Sequence, residues 1–214
     1  IAAYDTLLAE RPGDADLLIE AARVHAWADD HPSSARLYQQ ALQAAPDRRH
    51  DILLPLAWQL AWGGHHDDAV SLFREASREI PAQRGEALHG LAESLAARNQ
   101  LQQALEIYQE LASDPTDLRA RRGEARMLLW LDRNEAAAAR YRTLLEMHPR
   151  DPEARLGLAR ALNYGSRHFA ALAAYEDATR DDPALARDTR VERAAALRWA
   201  GLEDRAAIVL GDAE

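Results

Sequence analysis

The chain has 214 residues, 48% of them hydrophobic, and no cysteine; it can bury a sizeable core, and disulfides, thiolate metal sites, cysteine nucleophiles and thiol redox chemistry are excluded. Its 26 basic residues are all arginine and face 35 acidic ones, a net charge of −9 that argues against nucleic-acid binding and favours a cationic or neutral partner. No apolar run approaches the ~20 residues a membrane helix needs, so no membrane insertion is expected.

Prolines at Pro12, Pro46, Pro81, Pro115, Pro149 and Pro183 recur with spacings of 34, 35, 34, 34 and 34, the mark of a repeat architecture. In chain order, residues 1–12 ("IAAYDTLLAER" and Pro12) read as the second helix of a partial unit. Six units follow, over about 13–46, 47–81, 82–115, 116–149, 150–183 and 184–214, each a helix, a short turn and a second helix. The turns "ADDHP", "GGHHD", "ARNQ", "LDRN", "YGSRH" and "AGLED" supply the Gly, Asn and Asp that stop and cap helices. No strand signal competes. A chain that opens in mid-unit, without methionine, is expected to be a piece of a longer protein.

Within each unit an alanine recurs in the first helix, at Ala22, Ala57, Ala92, Ala125, Ala159 and Ala194, where only a small side chain lets two helices approach closely. Twelve residues on comes a second small residue, at Ser34, Ala69, Ala104, Ala137, Ala171 and Ala206. Four further on stands a ring, at Tyr38, Phe73, Tyr108, Tyr141 and Tyr175, with Leu210 in the last unit and Tyr4 in the partial one. These rings are expected to fill the space between adjacent units.

With this spacing of small, small, ring and proline, the chain resembles the tetratricopeptide repeat family over essentially its whole length. It departs where the family has tryptophan early in the first helix, here Leu18, Leu53, Leu88, Arg121, Arg155 and Arg190. The resemblance implies an all-α fold, a right-handed α-solenoid of tandem 34-residue helix-turn-helix repeats forming a single domain, with the first helices lining an inner face.

The family's inward positions are the second, fifth, ninth, twelfth and thirteenth of each unit, offsets that keep to one helical face. The thirteenth is Trp27, Trp62, Ala97, Trp130, Tyr164 and Trp199, and Trp58 stands at the ninth position beside Trp62. All five tryptophans therefore fall on the expected inner face. As rings near a helix end they either pack against the next helix or present a contact surface. Trp58 is the stronger contact candidate, because the ninth position elsewhere holds Arg23, Glu93, Arg126, Arg160 and Ala195. Charge on this face comes in blocks, with Glu86, His89 and Glu93 in one unit, Arg119, Arg122 and Arg126 in the next, then Arg160 and Asn163. Such sets pair with one another or form an anion site, pairing being the commoner outcome.

His31, His66 and His168 share one turn position, and His65 adjoins the second. Equivalent atoms of adjacent units lie about a helix spacing apart, too far for one ion whose ligand nitrogens sit within about 2.1 Å, so exposed turn histidines and no metal site are expected. HExxH, GxSxG, P-loop and GxGxxG patterns are absent from the sequence. No catalytic residues, enzyme activity or cofactor are expected.

The segments "HAWADDHPSSARLYQQAL" and "RALNYGSRHFAALAAYEDAT" look like the periplasmic repeats of bacterial outer-membrane exopolysaccharide exporters of the Pel, poly-N-acetylglucosamine and cellulose type. That resemblance implies a non-enzymatic biofilm scaffold that docks a periplasmic deacetylase or hydrolase, or guides a cationic amino-sugar polysaccharide. The alternative is a cytosolic adaptor for a peptide or helix of a partner protein. The lysine and asparagine clamp of the chaperone-binding branch is missing, since the chain has no lysine.

Overall fold

A computed structural model describes residues 2–211, which divide into two compact units with the boundary between residues 107 and 108. All regular structure among the described residues is helical. The amino-terminal unit holds α1 (Ala2–Glu10), α2 (Ala15–Trp27), α3 (His31–Ala44), α4 (Arg49–Trp62), α5 (His66–Glu79), α6 (Arg84–Ala97) and most of α7 (Leu101–Leu111). The carboxy-terminal unit holds α8 (Leu118–Trp130), α9 (Asn134–Met147), α10 (Pro152–Tyr164), α11 (His168–Thr179), α12 (Pro183–Asp188), α13 (Arg190–Trp199) and α14 (Glu203–Leu210). Each unit is a run of helical hairpins of the α-solenoid class.

One stop signal ends every first helix. Asp29, Gly64, Asn99, Asp132, Ser166 and Gly201 all take positive φ, between 56° and 81°. The next residue then donates its N–H to the carbonyl five positions back, as Asp30 does to His25 and Arg167 to Leu162. This left-handed closure turns the chain within three residues. Helix starts are capped where aspartate is available: Asp14, Asp117, Asp151 and Asp182 each accept an N–H three residues on.

The core sits where the small residues predict it. The first-helix alanines are 0–2% exposed and the second-helix small residues 0%, and the Ser34 hydroxyl donates to the Ala22 carbonyl at 2.8 Å, tying the two positions of one hairpin together. The second-helix rings from Tyr38 to Tyr175 are buried and seat on the next first helix at a position the small-residue pattern does not reveal. A Cβ on Gly90 would lie 2.3 Å from the Phe73 ring, one on Gly123 2.4 Å from Tyr108 and one on Gly157 2.3 Å from Tyr141. Glycine two residues before the alanine leaves room for the ring.

One expectation is corrected. The first helix of the last repeat is not continuous but breaks at Thr189 between α12 and α13. Thr189 is buried, and its hydroxyl donates to the Leu185 carbonyl at 2.7 Å, a back-bond that bends helices.

Candidate functional site

Five of the residues that close the first helices are large rings left in solvent. Trp27 is 82% exposed, and Trp62, Trp130, Tyr164 and Trp199 lie between 52% and 58%. They stand at the carboxyl end of α2, α4, α8, α10 and α13, just before the left-handed turn. Because the helix ends there, no following turn of the same helix covers the ring.

Trp58 differs from its neighbour. It is half-buried, stacks on Trp62 with ring centroids 5.3 Å apart and 25° between planes, and meets Phe73 edge-on at 5.0 Å. Trp58 thus joins the exposed indole of Trp62 to the core, and Trp62 is the ring that solvent reaches.

Two grooves run beside these rings, one in each unit. In the amino-terminal unit Trp27 and Trp62 line a space of about 650 Å3 together with Asp29, His31, Tyr38 and Gln59. Gln59 is buried, and its Oε1 lies 3.0 Å from His31 Nδ1. In the carboxy-terminal unit Trp130 and Tyr164 line about 460 Å3 with Arg126, Arg160, Glu153 and Glu192.

The turn histidines are the second correction. His31, His66 and His168 are half-buried rather than exposed, while His65 is exposed; His31 lies against Trp62 at 5.6 Å and His168 against Trp199 at 5.5 Å between centroids. Each of these two ring-packed histidines opens a second helix and lies on the indole that closes the next first helix. The signal was legible, since both pairs are separated by 31 residues. His66 has Ala97 at that distance and no ring to meet.

The charged candidates are largely engaged. Arg122 grips buried Asp151 at 2.6 Å, Arg126 reaches Glu153 at 3.5 Å, and Arg160 forks onto both oxygens of Glu192 at 2.7 and 2.9 Å. Each arginine reaches forward to the start of the next hairpin, so these pairs tie neighbouring hairpins. Glu86 and Arg119 are exposed and Glu93 is half-buried. Asn163, expected on the inner face, is instead buried with its Oδ1 3.1 Å from His168 Nδ1; it braces the turn. Among the described residues no group of three or more His, Asp or Glu side chains could hold a metal ion, and no helix is long and apolar enough to cross a membrane.

The fork from Arg160 holds the Glu192 carboxyl below the usual carboxylate range, and the Tyr175 hydroxyl donates to the same group at 3.1 Å. Burial in turn pushes Tyr175 up, with the Glu192 charge acting in the same direction. A carboxyl depressed by folding stabilises the fold fully above its unfolded pKa of about 4.3, and that contribution is lost as pH falls through the lower folded value. The carboxy-terminal unit should therefore lose stability below about pH 4.5, and Glu192→Gln should flatten part of that dependence. Denaturant midpoints from pH 7 down to pH 2.5 check this; identical acid slopes for both proteins would contradict it.

Comparison with known proteins bears on the repeat. The family model described as Tetratricopeptide repeat matches residues 55–117 and 122–186. No curated protein matches the sequence. Among solved structures, a tetratricopeptide repeat protein from Parabacteroides merdae aligns with a TM-score of 0.80 at 17% identity, over 92% of this chain and 78% of that one. PilW, a type IV pilus biogenesis factor, aligns at 0.77 and 17% identity over 92% and 91%. YrrB, described as having an unusual peptide-binding site, aligns at 0.66 and 18% identity over 94% and 98%. At these identities the structural likenesses concern the fold.

Proposed function

The chain belongs to the tetratricopeptide repeat family, whose members are generally non-catalytic protein-interaction scaffolds, and from that premise we propose that its aromatic-edged first-helix ends form the docking surface of such a scaffold. The observation that carries this reading is the solvent exposure of Trp27, Trp62, Trp130, Tyr164 and Trp199, since large apolar rings set in water at one register call for a functional reason. The setting is a bacterial exopolysaccharide export system. There the chain serves as the periplasmic repeat region of an outer-membrane exporter, presenting these rings to a polymer-modifying deacetylase or hydrolase and to the polymer. Exposed indoles suit the apolar faces of sugar rings, and the net charge of −9 suits a partly deacetylated, cationic amino-sugar chain.

Titration of the intrinsic tryptophan fluorescence with glucosamine oligomers, against N-acetylated oligomers of equal length, tests the polymer contact. A saturable change that is stronger for the cationic oligomer and weakens with added salt supports it. Flat titrations with both would overturn the polymer contact and leave docking of a protein as the function of this face.

A further inference from the structure

The two grooves are built on the same register but differ in one respect. In the carboxy-terminal unit the Arg126 guanidinium lies over the Trp130 ring, 5.6 Å from its centroid. Asp132, in the left-handed turn position two residues after that ring, lines the same groove. The protein thus supplies its own cation to this indole.

In the amino-terminal unit Trp27 and Asp29 repeat the ring and the left-handed carboxylate at the same spacing, and Arg23 stands where Arg126 does, four residues before the ring. Arg23 lines the groove beside Tyr38 but is held by Glu20 at 2.6 Å. The corresponding residue three positions before Arg126 is Gly123, which offers no such partner. Local pairing along α2 keeps the arginine off the ring face, and Trp27 is left 82% exposed. Among the described residues Trp27 meets no other ring or cation and Asp29 makes no ion pair.

We propose that the amino-terminal groove seats an arginine side chain from a segment of a partner protein, its guanidinium over Trp27 beside Asp29, in the place that Arg126 occupies on Trp130. The proposal rests on the reading of the aromatic-edged face as a docking surface. Two physical arguments support the occupant. First, the amino-terminal unit carries nine arginines against sixteen acidic residues, a balance of −7, whereas the other unit carries seventeen against nineteen, a balance of −2. The more acidic unit therefore has the open seat and attracts a basic segment. Second, a planar, weakly hydrated guanidinium stacks on indole and accepts a carboxylate at its edge, a combination that a compact ammonium matches less well. Gln59 and His31 on the groove wall and the second indole, Trp62, remain for the flanking backbone.

The test uses the whole chain with labelled indole N–H groups, titrated with acetyl-Gly-Arg-Gly-Arg-Gly-amide, its citrulline isostere and its lysine counterpart, and separately with glucosamine oligomers. The arginine peptide should saturably shift the Trp27 and Trp62 resonances and bind about 10-fold more tightly than the citrulline peptide. Asp29→Asn should weaken binding about 3- to 10-fold, and Trp27→Ala should abolish the Trp62 shift. Both positions are exposed, and unchanged melting of the two variants verifies that the fold is intact. Equal binding of the citrulline peptide would overturn the proposal. So would shifts confined to Trp130 or Trp199, or tighter binding of the lysine peptide. Glucosamine oligomers moving the indoles while the arginine peptide moves none would sink the arginine seat and leave the docking face standing; silence from every probe would sink both.

Discussion

Phe73→Ala is expected to lower the stability of the amino-terminal unit by about 3–5 kcal/mol, the range for truncating a buried phenylalanine, read as a shift of the denaturant midpoint at unchanged helix content before the transition. The ring is fully buried on α5, fills the space over Gly90 on α6 and meets Trp58 of α4 edge-on. It therefore joins its own helix to two others across two successive hairpins. Its removal leaves a cavity between these helices, so the packing loss adds to the lost transfer free energy. Gly90→Ala approaches the same contact from the other side. Better helix propensity contributes up to about 1 kcal/mol, but a Cβ placed 2.3 Å from a buried ring must displace it, at about 1–3 kcal/mol for overpacking. A loss below about 1 kcal/mol for Phe73→Ala would show that the ring is not the wedge between these hairpins.

The second large effect is expected at Asp151. Its side chain is 1% exposed; Oδ1 accepts the Ala154 N–H at 3.0 Å, capping α10, while Oδ2 accepts two hydrogen bonds from Arg122, at 2.8 and 2.6 Å. Asp151→Ala removes a cap worth about 1 kcal/mol and leaves a partly buried guanidinium without its acceptor, a combined cost of about 2–4 kcal/mol. Asp151→Asn keeps an oxygen for the cap but loses the charge and the Oδ2 acceptor facing Arg122, so about 1–3 kcal/mol is expected. Equilibrium unfolding of the two variants separates the roles. Equal losses would mean that the cap contributes nothing beyond the ion pair with Arg122.

Asp151 also shows why contact residues are harder to read than fold. Arg122 and Arg160 sit at inward offsets of their helices, and nothing in their own sequence neighbourhood distinguishes a ligand-binding arginine from a tying one. What decides is the residue that the next hairpin brings within reach, Asp151 for the first and Glu192 for the second. Trp58 and Trp62 make the same point. One helical turn apart on α4, they share a face, yet Phe73 of α5 covers one and leaves the other in water. The glycine seats of the rings escaped the sequence reading because Phe73 and Gly90 belong to different hairpins, and a one-chain periodicity records positions within a unit rather than contacts between units.

By itself the sequence determined the helical repeat, its hairpin turns and its small-residue core. These depend on short-range rules: a Cβ-sized residue where two helices cross, a residue tolerant of left-handed backbone two positions before the next helix, and a period that recurs often enough to be read without partners. Tertiary structure alone decided which of the inward residues are free to act. It packed His31 and His168 onto indoles, buried Asn163, tied Arg122 and Arg160 forward, and left Trp27 open beside Asp29. Exposure and pairing depend on distances between hairpins. The residue three positions before Arg23 and Arg126, glutamate in one helix and glycine in the other, becomes decisive only once the groove sets each arginine beside an indole that it covers or leaves open.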